Sequence, residues 1–406
     1  VFTTFHVLIG QVTMSLTSLH WCLLISFSVV HAESSAPLQT LSGMRVIDFS
    51  YRLVSSIPKE PQNRVLSPLS IAMALNLLWL GSEGPLHENI THLMKNEEMN
   101  ETTVHLDYQE MLRRLSNSPN LTFHVGNGVF IDEKNDFQPE FENKAKTYYN
   151  TTTKKVAASE AKTVINDFIS DITRGGISNA LAGLPAIHSI FVVNAFHFAG
   201  NWLNAFNESK TQKDTFYVSD SETLPVDMME RTGEMLYSED SDAKMLRLDY
   251  NKEGLGFYII LANEPGVDSL LQYEKNLTVE KIRAMGDQMT PTRVNLKLPR
   301  MDVEYSLDLV KSLSDMGVPG LFQPGIEGLK GMTKMKDAYI TDFVHRVKFQ
   351  VDEQGSRAIG ATMAFLTRTT QKTTNFTVNR PFIFFIYDST LDTLILIAHI
   401  VKPVSD

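Results

Sequence analysis

Ser189 to Phe198 is apolar at both alternating sets of positions, the pattern of a strand in the middle of a sheet with both faces covered. Asn194 interrupts it. A second segment is equally restrictive. Ser67-Pro68 has the form of a helix start, with Ser as N-cap and Pro at the first helical position. The run from there to Leu80 is apolar on nearly every side, which predicts a buried helix, and Gly81 is its natural stop. Ser159 opens another predicted helix, in which Val164, Phe168 and Ile172, with Ile165 and Ile169, form an apolar stripe; Gly175-Gly176 ends it. Val344 to Val351 alternates instead, with His345, Val347, Phe349 and Val351 on one face and Arg346, Lys348 and Gln350 on the other, as in a half-buried strand. Residues 381–387 and 394–401 read as a closing pair of strands. Helical signal dominates the first half and strand signal the second, with no repeat and no low-complexity linker. The expectation is one large α+β domain, for which 406 residues at 43% hydrophobic supply ample core.

Several function classes are excluded. A net charge of −10 argues against nucleic acid or an anionic membrane as partner. The single cysteine, Cys22, falls in an N-terminal stretch with no Lys, Arg, Asp or Glu from Val1 to Ala32. Met14 is taken as the true start, Trp21 to Val30 as the apolar core of a secretory signal, and Val30-His31-Ala32 as the cleavage site before Glu33. On this expectation residues 1–32 are a leader, and the mature chain, 33–406, has no thiol for a disulfide, a zinc site or a nucleophile. Seven Asn-x-Ser/Thr sequons, at Asn89, Asn100, Asn120, Asn150, Asn207, Asn276 and Asn375, support secretion and mark surface positions. Catalytic motifs fail. There is no Gly-x-Ser-x-Gly elbow and no phosphate loop. His87-Glu88 is followed by His92 at a spacing of five, where zinc on one helical face needs four. Asp240-Ser241-Asp242 lacks the glycine and final glutamate of a calcium loop. No catalytic residue, metal or cofactor is expected, and the chain is read as not an enzyme.

Six blocks carry a resemblance. They are Asn63 to Ile71; Ile165-Asn166 with Thr173 to Ile177; Val193 to Trp202; Leu298-Pro299-Arg300; Asp352 to Ser356; and Val378 to Phe385. Over about Phe49 to Pro403 the chain resembles the serpins, the large serine-protease inhibitors typified by antitrypsin. The resemblance implies three β-sheets, eight or nine helices and an exposed reactive-centre loop at about residues 355–374. It implies a metastable native state, in which the loop, once cleaved, enters the main sheet as a new strand. The acyl-bonded protease is dragged across the molecule and distorted, so deacylation stalls. Each new backbone hydrogen bond nets about 0.5–1.5 kcal/mol, so a dozen yield on the order of ten. That is comparable to the stability of a whole domain. The protease supplies the nucleophilic serine, so the inhibitor needs no catalytic group.

On the same resemblance Glu353, Gly355 and Ser356 form the hinge, and the small residues Ser356, Ala358, Gly360, Thr362 and Ala364 face inward on insertion. Periodicity alone offers the opposite reading, with Ile359, Met363 and Phe365 as the buried face of an ordinary strand beside Arg357 and Ala361. The chain would then be a non-inhibitory serpin, a ligand carrier or a chaperone-like binder. Counted from Glu353, the sixteenth residue is Arg368 and the seventeenth Thr369. Cleavage between them suits a trypsin-like protease, which binds a long cationic side chain against a carboxylate. Cleavage after Thr369 would suit an elastase-like one. Ser67, Ser70, Asn194 and His345 match the polar cluster, or shutter, that the family places where the main sheet parts. Trp202 is read as packing. Arg113-Arg114 and Lys154-Lys155 are isolated pairs in an acidic chain, so glycosaminoglycan is not an expected cofactor. The expected partner is an extracellular serine protease, met by a monomer.

Overall fold

The computed structural model describes residues 41–177, 181, 189–355 and 372–404, which lie in one compact unit, Gln39–Asp406. Nine α-helices occur among these residues: α1 (Leu41–Ser56), α2 (Pro68–Leu80), α3 (Gly84–Met94), α4 (Glu101–Ser116), α5 (Pro139–Tyr149), α6 (Ala161–Ile172), α7 (Val267–Lys275), α8 (Val279–Asp287) and α9 (Val310–Asp315). The early strands are β1 (Arg64–Leu66), β2 (Leu121–Asp132), β3 (Thr152–Val156), β4 (Ile190–Gly200) and β5 (Gln212–Tyr217). Then come β6 (Thr223–Glu239), β7 (Ala243–Asp249), β8 (Leu255–Ala262), β9 (Thr290–Pro299) and β10 (Met301–Asp308). The last four are β11 (Ile340–Val351), β12 (Thr374–Thr377), β13 (Phe382–Asp388) and β14 (Thr393–Ile400).

The strands make two hydrogen-bonded sheets. One has five strands in the order β10-β11-β4-β2-β3. The other has nine, in the order β1-β14-β13-β8-β7-β6-β9-β12, with β5 also on β6. The implied third sheet is fused into this array. Its 17-residue strand β6 pairs in succession with β5, β9 and β7, so no break in hydrogen bonding separates the two parts.

Local chemistry explains the elements that frame the site. Ser67 caps α2, its hydroxyl accepting the Ser70 N–H, and Gly81 closes the helix; Pro68 to Trp79 are all buried. β11 alternates as its sequence requires, with His345, Val347, Phe349 and Val351 buried between half-exposed neighbours. Ser159 does not open α6. It lies in a turn, and the helix starts at Ala161 after Glu160, whose side chain makes no cap.

The two sheets face each other across a hydrophobic core. Phe349 of β11 stacks 4.9 Å from Phe384 of β13, which lies 4.7 Å from Phe257 of β8. α6 covers the outer face of the five-stranded sheet, where Ile165, Ile169 and Ile172 meet Val193, Ala195 and Val344. Gly126 of β2 makes this close approach possible, because a β-carbon there would stand 2.3 Å from Ile172.

Candidate functional site: the seam of the five-stranded sheet and its upper end

β4 and β11 run parallel as direct neighbours from Ile190 and Ile340 to Phe198 and Phe349. His345 and Asn194 are register partners on this seam. Beneath it, the start of α2 brings Ser67 and Ser70 to the same point, and all four residues are fully buried. The Ser67 N–H donates to His345 Nε2 at 3.1 Å, and His345 Nδ1 lies 2.6 Å from Asn194 Oδ1. Since Nε2 accepts, the proton is on Nδ1 and the ring is neutral. Burial pushes its pKa down to about 3. The Ser70 hydroxyl lies 2.8 Å from Asn194 Oδ1, and Asn194 Nδ2 donates to the Ser70 carbonyl at 3.1 Å. The Ser67 hydroxyl donates to the Ile395 carbonyl of β14 at 2.8 Å, tying the cluster to the second sheet. One member was missed by sequence reasoning. Asn127 of β2 accepts from Asn194 Nδ2 at 2.8 Å and extends the network to a third strand. A lone polar residue between Gly126 and Gly128 in an apolar strand was the available signal.

At the upper end of the seam the chain reverses. The Asp352 N–H donates to the Gly355 carbonyl at 2.8 Å, and the Gly355 N–H to the Asp352 carbonyl at 3.2 Å, so Glu353 and Gln354 form the corner of a tight hairpin. Gly355 pairs antiparallel with Asp352 on one side and with Asn201, just beyond β4, on the other. It has φ of +132°, and a β-carbon there would lie 2.1 Å from the Gly200 carbonyl oxygen, so only glycine fits. Trp202 does more than fill space. Its backbone N–H donates to the Gln354 carbonyl at 3.0 Å and its indole Nε1 to the Asp352 carbonyl at 3.1 Å, while its ring stacks on Tyr250 at 4.6 Å. The Glu353 carboxylate is turned inward and buried, where Arg300 clasps it at 2.7–3.0 Å and the Thr211 hydroxyl also donates to it. Burial works against this carboxylate, but the bonds from Arg300 and Thr211 outweigh it and hold its pKa below the ordinary value.

Comparison with known proteins gives this architecture a family. Residues 44–403 match the family model described as Serpin (serine protease inhibitor). The chain belongs to the serpin family. It is 30% identical over 369 residues to a serine protease inhibitor of Rattus norvegicus, covering 88% of each chain. It is 28% identical over 366 residues to alpha-1-antitrypsin of Sus scrofa, covering 88% of this chain and 86% of that one. Human thyroxine-binding globulin complexed with thyroxine shares the fold, with a TM-score of 0.79 at 22% identity, over 91% of this chain and 100% of that one. Many serpins inhibit proteases, and in general they act as inhibitors rather than catalysts.

In this serpin Ser356, expected in the hinge, the small residues Ala358, Gly360, Thr362 and Ala364, and the expected reactive bond between Arg368 and Thr369 lie outside the described residues, as do residues 1–32, read above as a leader. All seven sequon asparagines are exposed. Arg113 and Arg114 both pair with Glu110, and Lys155 pairs with Asp136.

Proposed function

We propose that this chain is a secreted serpin that traps an extracellular trypsin-like serine protease by loop insertion. The observation that carries the reading is the position of Gly355. It already stands antiparallel between the extensions of β4 and β11, as the first rung of a strand between them. A strand returning from β11 runs antiparallel to both neighbours, so insertion replaces one parallel ladder with two antiparallel ones, which are slightly more stable per residue. The shutter, Ser67, Ser70, Asn194 and His345, lies under the middle of that seam, and exchange of its hydrogen bonds lets β4 and β11 part without stranding buried polar groups.

In this reading the protease serine oxygen attacks the Arg368 carbonyl carbon. The Arg368–Thr369 C–N bond breaks, and Thr369 leaves as a new N-terminus carrying the proton. Cleavage after Thr369 instead would assign an elastase-like target. The leader and the seven exposed sequons support secretion and N-glycosylation. Incubation with trypsin tests the proposal: an SDS-stable covalent complex is expected, with Thr369 at the start of the released peptide. Cleavage of the loop without a complex overturns it.

A cavity favours a second reading, that of a ligand carrier. It measures about 430 Å3 and lies between α1, α8 and the nine-stranded sheet, with walls that include Ile47, Val54, Ile282 and Phe385. Arg64, Glu274 and His399, all buried, also line it. Burial opposes ionisation of Glu274, but bonds from His399 and Arg64 draw its pKa down to about 2, so it stays charged. Saturable binding of anilinonaphthalene sulfonate, lost on Ile282→Trp, supports this reading; unsaturable binding removes it.

A further inference from the structure

Three of the seven sequons stand around the two points where the loop leaves and rejoins the body. Asn120 immediately precedes β2, and its carbonyl accepts the N–H of Asn201, the residue paired with Gly355. Asn207 follows Phe206, whose N–H donates to the Glu353 carbonyl at 2.8 Å. Its Oδ1 accepts from the N–H and the hydroxyl of Ser209, the third residue of the same sequon, at 3.0 and 2.9 Å. Asn375 lies on β12, at the end of the nine-stranded sheet, three residues after Lys372. β12 is a firm platform: Asn375 pairs with Asn295, Phe376 is buried, and the Val378 N–H donates to the Lys297 carbonyl. The other four sequons are in or at the ends of helices α3, α4, α5 and α7.

Chain length sets the scale. An extended chain spans at most about 3.5 Å per residue, so Asn375 lies within roughly 21 Å of Thr369 whatever the path between them. A protein docked through a standard interface covers about 800 Å2 of its partner, a disc of roughly 16 Å radius. Asn375 is therefore held at or near the rim of the footprint of any protease seated on that bond, where a glycan on its exposed side chain meets the docked protein, while Asn120 and Asn207 stand at the other root, beside Gly355.

We propose that N-linked glycans on Asn120, Asn207 and Asn375 form a collar that selects the docking protease, admitting compact ones and excluding those with bulky surfaces around the cleft. In the modification each asparagine Nδ2 forms a C–N bond to the anomeric carbon of a lipid-diphosphate-linked oligosaccharide. The C–O bond to the diphosphate breaks, the amide loses a proton, and the lipid diphosphate departs. The inference rests on the loop being the segment a protease docks on.

The test uses the full chain secreted from mammalian cells. Peptide-N-glycosidase digestion in oxygen-18 water marks each occupied asparagine, and label is expected at all three. The collar is removed by Thr122→Ala, Ser209→Ala and Thr377→Ala together, which leaves Asn120, at φ of +64°, in place. Thr102→Ala with Asn276→Gln serves as the control. Wild-type protein stripped by the glycosidase under native conditions replaces the triple variant should that fail to fold. The readout is the rate at which intact chain is lost, through trapping or simple cleavage, to trypsin and to a trypsin-like protease with large surface loops. Removing the collar should raise the rate about tenfold for the bulky protease, equivalent to ~1.4 kcal/mol of barrier, and less than about twofold for trypsin. Missing label at two of the three sites, equal changes for both proteases, or the same gain in the control overturns the inference alone. Loss of intact chain to neither protease, with or without the collar, sinks the docking reading and this inference with it.

Discussion

His345 and Asn194 face each other across the parallel β4–β11 seam, and their side chains share a hydrogen bond of 2.6 Å at full burial. The ring's other bond, accepted by Nε2 from the Ser67 N–H, needs a neutral imidazole, and that makes the seam sensitive to acid. In the unfolded chain the ring gains its proton near pH 6.5, but in the folded chain only near pH 3. Between those values the unfolded state binds more protons, so stability is fully present above pH 6.5 and declines as the pH falls toward 3. The window is worth up to ~5 kcal/mol. Urea unfolding of wild type and His345→Gln from pH 7 to pH 4 checks this. The wild-type advantage should shrink with acid, and a constant difference would refute it.

Asn127→Ala should destabilise the protein by about 1–3 kcal/mol, because Asn194 Nδ2 loses one of its two acceptors in a site closed to water. Asn194→Ala should cost at least as much, and the double variant little more than the larger single. Denaturant midpoints would show this as a coupling, and simple additivity would mean that the two amides act separately.

The Glu353–Arg300 pair has one buried and one accessible partner, the Arg300 side chain being 44% exposed. Breaking it is expected to cost about 1–2 kcal/mol, less than a fully buried pair. Glu353→Gln and Arg300→Ala should lower the thermal midpoint to a similar extent. No change in either variant would show that the Thr211 contact and packing hold the hairpin unaided.

Gly355→Ala places a methyl group where the Gly200 carbonyl already stands and strains a left-handed residue. A stability loss of about 1–3 kcal/mol is expected. The sharper effect should be on the ratio of chain cleaved to protease trapped, which rises if the first rung is lost. Titration of trypsin activity against variant and wild type measures it, and an unchanged ratio would separate this rung from trapping.

Sequence patterns made the local parts of the fold legible. The cap and apolar run of α2 and the alternation of β11 are short-range signals, and each appears with the burial its spacing predicts. What was not legible depends on distance along the chain. Arg300 and Thr211 reach Glu353 from 53 and 142 residues away, and no local pattern announces such a pair. Trp202 could be read as packing, but its two N–H donors find the carbonyls of Asp352 and Gln354, the nearer 150 residues away, only once the hairpin at Asp352 has formed. Ser159 misled because its cap signal stands one residue before the actual cap position, Glu160, in a segment that forms a turn.

The single rung at Gly355 bears on what a melting curve of this protein can mean. On the insertion reading, the arrangement with β4 against β11 is held by the slowness of parting them rather than by being the lowest state within reach. Heating then opens two exits, one to the unfolded chain and one to the inserted sheet. The apparent midpoint of the intact protein would move with the rate of heating, reporting a lifetime rather than an equilibrium.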